Sequence, residues 1–197
     1  MVELLTVVGR TLGFSFAAGI NLYATVAILG LAKRYGWVQL PDQFAVFDSD
    51  LVIGTAIVLY IVEFVADKIP WVDTVWDAVH TVIRPVGGAL VAVGALGEAS
   101  PAMEGLVALL GGSIAAGTHL TKAGTRAVAN TSPEPVSNWV LSISEDVFVI
   151  GLATLALKYP LAAAIVVIVG VIMMLVFAAW IVGAVRRRWG RRRPAMA

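Results

Sequence analysis

Glu63, Glu145 and Asp146 stand inside stretches that are otherwise apolar. Ionisable side chains at membrane depth are costly and face a bundle interior, so they are the first candidates for chemistry. Glu63 and Glu145 each lie 13 residues beyond an expected helix cap, Asp50 and Ser132, which at 1.5 Å per residue is about 20 Å into the helix. Asn21 and His119 occupy matching positions in two similar segments. Asn21, Glu63, His119, Glu145 and Asp146 therefore form the expected substrate-binding set, and carboxylates removed from water can exchange protons during transport. The competing reading makes them structural groups bonded to neighbouring helices.

Asp73, Asp77, His80 and Arg84 follow at steps of 4, 3 and 4, and Glu63 and Asp67 are four apart; such spacings put each set on one helical face. Asp67, Asp73, Asp77 and His80 could hold a divalent cation. Equally, these carboxylates could form an ion-pair network with Lys68 and Arg84. His119, Lys122, Arg126 and Asn130 make a cationic stripe. With His80 and Arg84, its cations His119, Lys122 and Arg126 give an alternative site for an anion or phospholipid head group, although membrane anchoring explains Lys122 and Arg126 as well.

The elements that must position these groups are helices in a bilayer. Of 197 residues 59% are hydrophobic and only 14% charged, and the mean hydropathy is +0.90, which excludes an ordinary soluble domain. Absence of cysteine excludes disulfides and thiolate chemistry. The pattern predicts an all-α membrane protein with six spans, at about 3–31, 51–67, 70–96, 103–129, 132–157 and 161–185, and Pro85 is expected to kink or break the third. Six of the fourteen Lys and Arg residues fall in the last twelve positions, so residues 186–197 form a basic tail that the positive-inside rule places in the cytoplasm. Six spans then put the N-terminus there too, leave the acidic loops at 33–50 and 97–102 outside, and make Lys33 and Arg34 dissenters. Anchoring explains the tail better than nucleic-acid binding does. The Gly-rich nucleotide loop, the H-E-x-x-H motif and a convincing Ser/His/Asp arrangement are all missing, so an enzyme is not expected, nor a cofactor.

Leu12-Gly-Phe-Ser-Phe-Ala-Ala-Gly-Ile-Asn-Leu22 matches Leu110-Gly-Gly-Ser-Ile-Ala-Ala-Gly-Thr-His-Leu120 at seven of eleven positions. Val58-Leu-Tyr-Ile-Val-Glu-Phe-Val65 matches Val140-Leu-Ser-Ile-Ser-Glu-Asp-Val147 at five of eight, in the same order. Three spans per copy force the second to insert upside down, which predicts a three-plus-three inverted repeat, residues 1–99 and 100–185, with a site between the halves. Ser15, Gly19, Ser113 and Gly117 would let helices 1 and 4 approach closely.

The strings AAGINLYATVAILGL, VEFVADKIPWVDTVWDAVHTVIRP and THLTKAGTRAVANTSPEPVSNWVLSISED resemble a bacterial multi-pass membrane family catalogued as domain-of-unknown-function family 4126. The resemblance covers nearly the whole chain apart from the arginine tail and implies no activity. The residues themselves lead to an expected transporter or channel of the bacterial inner membrane, for a small solute, leaning to an inorganic cation, with proton coupling available. Its expected partners are membrane lipid and that small ion, with a second copy of the chain left open. The rival reading is a membrane scaffold without transport.

Overall fold

The computed structural model describes residues 2–131 and 136–190. The expected Ser132 cap and the arginines at 191–193 lie outside them. Regular structure among the described residues is helical: α1 Val2–Ile20, α2 Leu22–Arg34, a 3-10 helix Asp42–Asp48, α3 Asp50–Ala66, α4 Pro70–Leu96, α5 Pro101–Ala129, α6 Val136–Lys158 and α7 Pro160–Gly190. Four helices, α1, α4, α6 and α7, are long and apolar enough to cross a membrane, and the 3-10 helix with α3, bent by 65°, makes a fifth candidate.

The expected first span is broken. Asn21 has an extended backbone (φ −145°, ψ 100°) and its side chain accepts from the Ala24 amide, so it ends α1 and caps α2. A straight helix would hold residues 10 and 34 about 36 Å apart. Yet Arg10 donates to the Gln39 carbonyl at 2.9 Å and to that of Leu157 at 3.4 Å, and the Phe14 ring meets Phe44 with centroids 6.0 Å apart. Five loop residues and one arginine cannot cover 36 Å, so the chain turns back at Asn21. α1 and α2 form a helical hairpin whose open end lies beside the 3-10 helix, at what we term the upper face, and whose tip lies inside the bundle. The expected break at Pro85 does not occur, because α4 runs unbroken from Pro70 to Leu96.

Contacts fix the directions. Along α1, Ser15 lies by Gly111, and Gly19 by Ala115 and Thr118, so α1 runs parallel to α5. Gly9 by Pro160 and Phe16 by Gly170 make it parallel to α7 as well. The α5–α6 pair is antiparallel, with Lys122 facing Glu145 and Arg126 the Asn138 carbonyl. One of the two matched segment pairs, α1 with α5, is therefore parallel, whereas α3 and α6 run oppositely, and a single inverting axis does not relate them. Both ends of the chain were expected on one side, yet α1 starts at the upper face and α7 ends at the lower one. Ser15 and Gly19 do face α5, but Ser113 is exposed and Gly117 faces Met174 of α7.

Composition divides the bundle into two halves. Near the upper face Phe14, Leu29, Phe44, Val91, Val149, Leu152 and Val167 pack as an apolar core. The turn between α2 and the 3-10 helix uses Gly36 at φ +59°, a conformation that a side chain would strain. In the lower half of α4 the pattern is inverted: Asp73, Asp77, His80 and Arg84 are buried while Val75, Val79, Val82 and Val86 are exposed. Only 6% of the apolar stretch of α7 is buried, and with no water-facing charge until Arg186 that surface suits lipid.

Candidate functional site

The hairpin tip supplies helix ends of both signs. Carbonyls at the end of α1 carry partial negative charge. Arg84 Nη1 reaches the Gly19 carbonyl at 3.5 Å, and Lys122 Nζ reaches that of Ile20 at 3.3 Å. On the other side of the break, Asn21 Nδ2 donates to Asp146 Oδ1 at 3.3 Å. Asparagine fits this point because its carbonyl caps the new helix while its amide remains free to donate.

Around the tip lies a network drawn from α3, α4, α5 and α6. Arg84 donates to Glu63 Oε1 at 2.7 Å and sits 3.4 Å from Asp77, with Arg84 and Glu63 wholly buried. Lys122 Nζ lies 3.2 Å from Glu63, 3.1 Å from Asp67 and 3.6 Å from Glu145. Arg126 donates to Asp67 Oδ2 and Glu145 Oε2, both at 2.9 Å. Glu63 and Glu145, the two matched glutamates, thus meet on one ammonium.

Hydrogen-bond direction assigns both histidines. Arg84 has only donors, so His119 Nδ1, 2.7 Å from Arg84 Nη1, must accept, and Nε2 then carries the proton toward the Asp77 carbonyl at 3.1 Å. His80 Nδ1 donates to the Trp76 carbonyl at 2.7 Å, and its Nε2 shares a hydrogen bond with the Tyr23 hydroxyl at 2.8 Å. The His119 ring is held neutral by geometry, and His80 stacks on Trp76 with centroids 4.5 Å apart.

Among the described residues the network gathers six carboxylates, Glu63, Asp67, Asp73, Asp77, Glu145 and Asp146, against three buried cations, Arg84, Lys122 and Arg126. Glu145 is the most open, with 17% of its side chain exposed. Glu63 Oε2, Asp67 Oδ1, Asp73 Oδ1 and Asp146 Oδ2 are buried with no partner in the protein, and Asp77 Oδ1 has only Arg84 Nη1, at 3.4 Å. A buried polar oxygen left without a partner is costly, so these oxygens call for protons or a positive guest. At the lower edge, outside the helices, Lys68 Nζ donates to the Phe64 carbonyl and to Ser142 Oγ, lies 3.0 Å from the Phe64 ring centroid, and has its pKa lowered by burial.

The chain belongs to the DUF4126 family. That family, a domain of unknown function, has a sequence model that matches residues 8–182. No curated protein and no solved structure matches the chain. The functional reading of this DUF4126 chain therefore rests on its own residues.

All five residues of the expected substrate set, Asn21, Glu63, His119, Glu145 and Asp146, fall in the network. The alternative anion set does not stand open: Arg84, Lys122 and Arg126 are each held by carboxylates, and His80 by Tyr23 and Trp76. The expected metal set, Asp67, Asp73, Asp77 and His80, is not drawn together, and among the described residues no three His, Asp or Glu side chains are grouped to hold a metal ion. Asp67 faces Lys122 and Arg126, while Asp73 faces the Asn130 amide at 2.8 Å. Sequence reasoning missed Tyr23, Thr81 and the carbonyl ends at Gly19 and Ile20. An asparagine in mid-span, just after Gly19, was the available signal for the break.

Two cavities reach the network from either side of α5. One of about 170 Å³, lined by Ile20, Thr118, Thr121, Lys122 and Glu145, adjoins a lipid-side groove between α5, α6 and α7. The other, of about 200 Å³, lies between the lower halves of α4 and α5 against Asp73, Asp77, Arg126 and Asn130.

Proposed function

We propose that the protein is a membrane transporter for a small inorganic cation, in which buried carboxylates take up and release protons as the cation moves. The excess of carboxylates over cations in the buried network carries this reading. Four unpaired carboxylate oxygens favour a positive guest, and paired arginines and lysine disfavour an anion or a phospholipid head group. A broken helix whose two ends meet opposite charges at mid-depth is a device that transporters use for ion sites, and cavities on both sides of α5 offer access.

On this reading α3 to α7 are five spans, α5 crossing with its charges Lys122 and Arg126 turned inward. Helix α1, though long and apolar enough to cross, ends at Asn21 inside the bundle, so that α1–α2 is a re-entrant hairpin, which takes the place of the six-span inverted repeat. The arginine tail and Lys68 then face the cytoplasm of a bacterial cell, and α1 starts on the outside. Lys33 and Arg34 no longer oppose this orientation, since Asp42 neutralises Lys33 at 3.2 Å, and Asp48 and Asp50 hold Arg34 at 2.9 and 2.6 Å. Because the chain has no cysteine, single cysteines at Leu4 and Val46 should label from one side and one at Arg187 from the other.

Purified protein in liposomes loaded with a pH-sensitive dye tests the function. An imposed Na⁺ or K⁺ gradient should drive proton movement in the wild type, and Glu63→Gln or Asp146→Asn should reduce it at least tenfold with folded protein retained. One observation favours a second reading, a scaffold without transport: each buried cation already has carboxylate partners. Absence of any wild-type flux, with the substitutions lowering stability alone, would decide for the scaffold.

A further inference from the structure

The cavity between the lower halves of α4 and α5 has features that the central network does not need. Asp73 and Asp77 line it and are 1% and 5% exposed; Asp73 Oδ1 has no partner, and Asp77 Oδ1 has only Arg84 Nη1, at 3.4 Å. Asn130 adds a third acceptor. Its Nδ2 faces the Pro70 carbonyl at 3.1 Å and Asp73 Oδ2 at 2.8 Å, both acceptors, so the amide nitrogen must sit there, and Oδ1 is the atom left unpaired. Thr74 and Thr81 also line the space. Their hydroxyl protons go to the Pro70 and Asp77 carbonyls, so lone pairs are what they can offer a guest.

We propose that this cavity binds one partly hydrated monovalent cation on oxygens of Asp73, Asp77 and Asn130. The proposal deepens the cation-transport reading, on which it rests for its purpose, by giving the ion a place and a charge. Donor chemistry excludes soft metals, because every free atom is oxygen and both histidines are already engaged. Charge excludes a divalent ion. Asp77 shares Arg84 at 3.4 Å with Glu63, which holds it more closely at 2.7 Å. The donors of Arg126 go to Asp67, Glu145 and the Asn138 carbonyl. Asp73 has a neutral amide as its hydrogen-bond partner, so about one negative charge is left for the guest. Ca²⁺ and Mg²⁺ draw on more oxygens and usually more than one free carboxylate. At about 200 Å³, the space takes an ion and a few waters of ~30 Å³ each.

Binding is measurable without flux. A ligand that binds only the folded state raises the unfolding temperature, so the full chain in detergent is melted, with tryptophan fluorescence as readout, in NaCl, KCl or N-methylglucamine chloride at one ionic strength. Na⁺ or K⁺ should raise the melting temperature saturably, and N-methylglucamine should not. Asp73→Asn and Asp77→Asn should each raise the half-saturating concentration at least tenfold, while Asp42→Asn at the exposed start of the 3-10 helix should not change it. Asp73→Asn keeps size and shape, so it decides the matter if Asp77→Asn fails to fold. No difference between the salts in the wild type, an undiminished response in Asp73→Asn, or a response confined to Mg²⁺ or Ca²⁺ would overturn the proposal. Flux without this stabilisation sinks the cavity and leaves transport standing; stabilisation without flux does the reverse.

Discussion

The upper half of the bundle is built as a soluble core would be, around Phe14, Leu29, Phe44 and Val91. At the depth of Asn21 the interior changes to Glu63, Arg84, His119 and Lys122, while the outer faces of the same helices stay apolar. In the upper half, cohesion is non-directional and each contact is individually weak. In the lower half it resides in a few directed bonds, where every charge depends on a partner supplied by another helix. A buried ion pair contributes little net stability against an apolar substitute. Retaining so many of them in a bilayer therefore argues for a task, whereas the aromatic core above needs no further explanation.

Breaking one pair should expose this difference most strongly. Arg84→Met leaves Glu63 and Asp77 without their shared cation, and should cost about 3–5 kcal/mol, the usual cost of stranding a buried charge. Adding Glu63→Gln should recover part of that loss, because the two residues form one unit. Phe14→Ala in the upper half should cost a similar ~3–5 kcal/mol by opening a cavity, yet Phe44→Ala should add to it rather than rescue it. Denaturant unfolding in detergent of these four variants and of the single substitutions Glu63→Gln and Phe44→Ala measures both. Equal additivity in the two halves would mean that the ionic network is as non-directional as the apolar core.

The seam between the halves offers a steric test of intermediate size. A Cβ on Gly19 would overlap Thr118 Oγ1 and the Ala115 backbone, whereas one on Gly124 meets nothing within 4 Å. Gly19→Ala should therefore destabilise by about 1–3 kcal/mol through overpacking, and should impair the network, since the Gly19 carbonyl faces Arg84. Gly124→Ala should stabilise by about 0.5–1 kcal/mol, the ordinary gain for alanine in a helix. Thermal melts that gave both substitutions the same sign would contradict the close approach of α1 and α5.

Much of the lower half was legible in the sequence because burying charge is so restrictive. The steps from Asp73 to Arg84 marked an inward face on α4, and the proline at 70 with the glycine at 97 set its limits. The matched glutamates pointed to a shared site, and they do share Lys122. The path of the chain was hidden for an equally physical reason. Residues 12–31 keep an apolar helical pattern across Asn21, and nothing local distinguishes an asparagine inside a helix from one that caps a new helix turned the other way. The choice is made by Asp146, Arg84 and Lys122, which are remote in sequence. Sequence similarity also carries no direction, so Leu12–Leu22 and Leu110–Leu120 can match while their helices run parallel. At Pro85 the expectation was a kink or a break, and the break is absent because α4 continues through the proline.

Two lysines of the lower half refine the comparison with the smallest effect. Lys122 is locked among three carboxylates, while Lys68, at the water edge, has a carbonyl, the Ser142 hydroxyl and an aromatic ring. Burial lowers the Lys68 pKa below its ordinary 10.5. Between that lowered value and 10.5 the unfolded chain holds its proton more tightly than the folded one, so stability rises with pH in this window. Below the window Lys68 is charged in both states, and its desolvation acts as a constant cost. Lys68→Met should therefore flatten the alkaline rise by no more than a few tenths of a kcal/mol, given how strongly water screens a half-buried group at the edge of the bundle. The check is the difference between wild type and variant in unfolding free energy from pH 8 to about pH 10.5. A variant that instead steepens the rise would place the Lys68 ammonium in a favourable charge pair, and the lower edge of the network would then extend one helical turn further toward water.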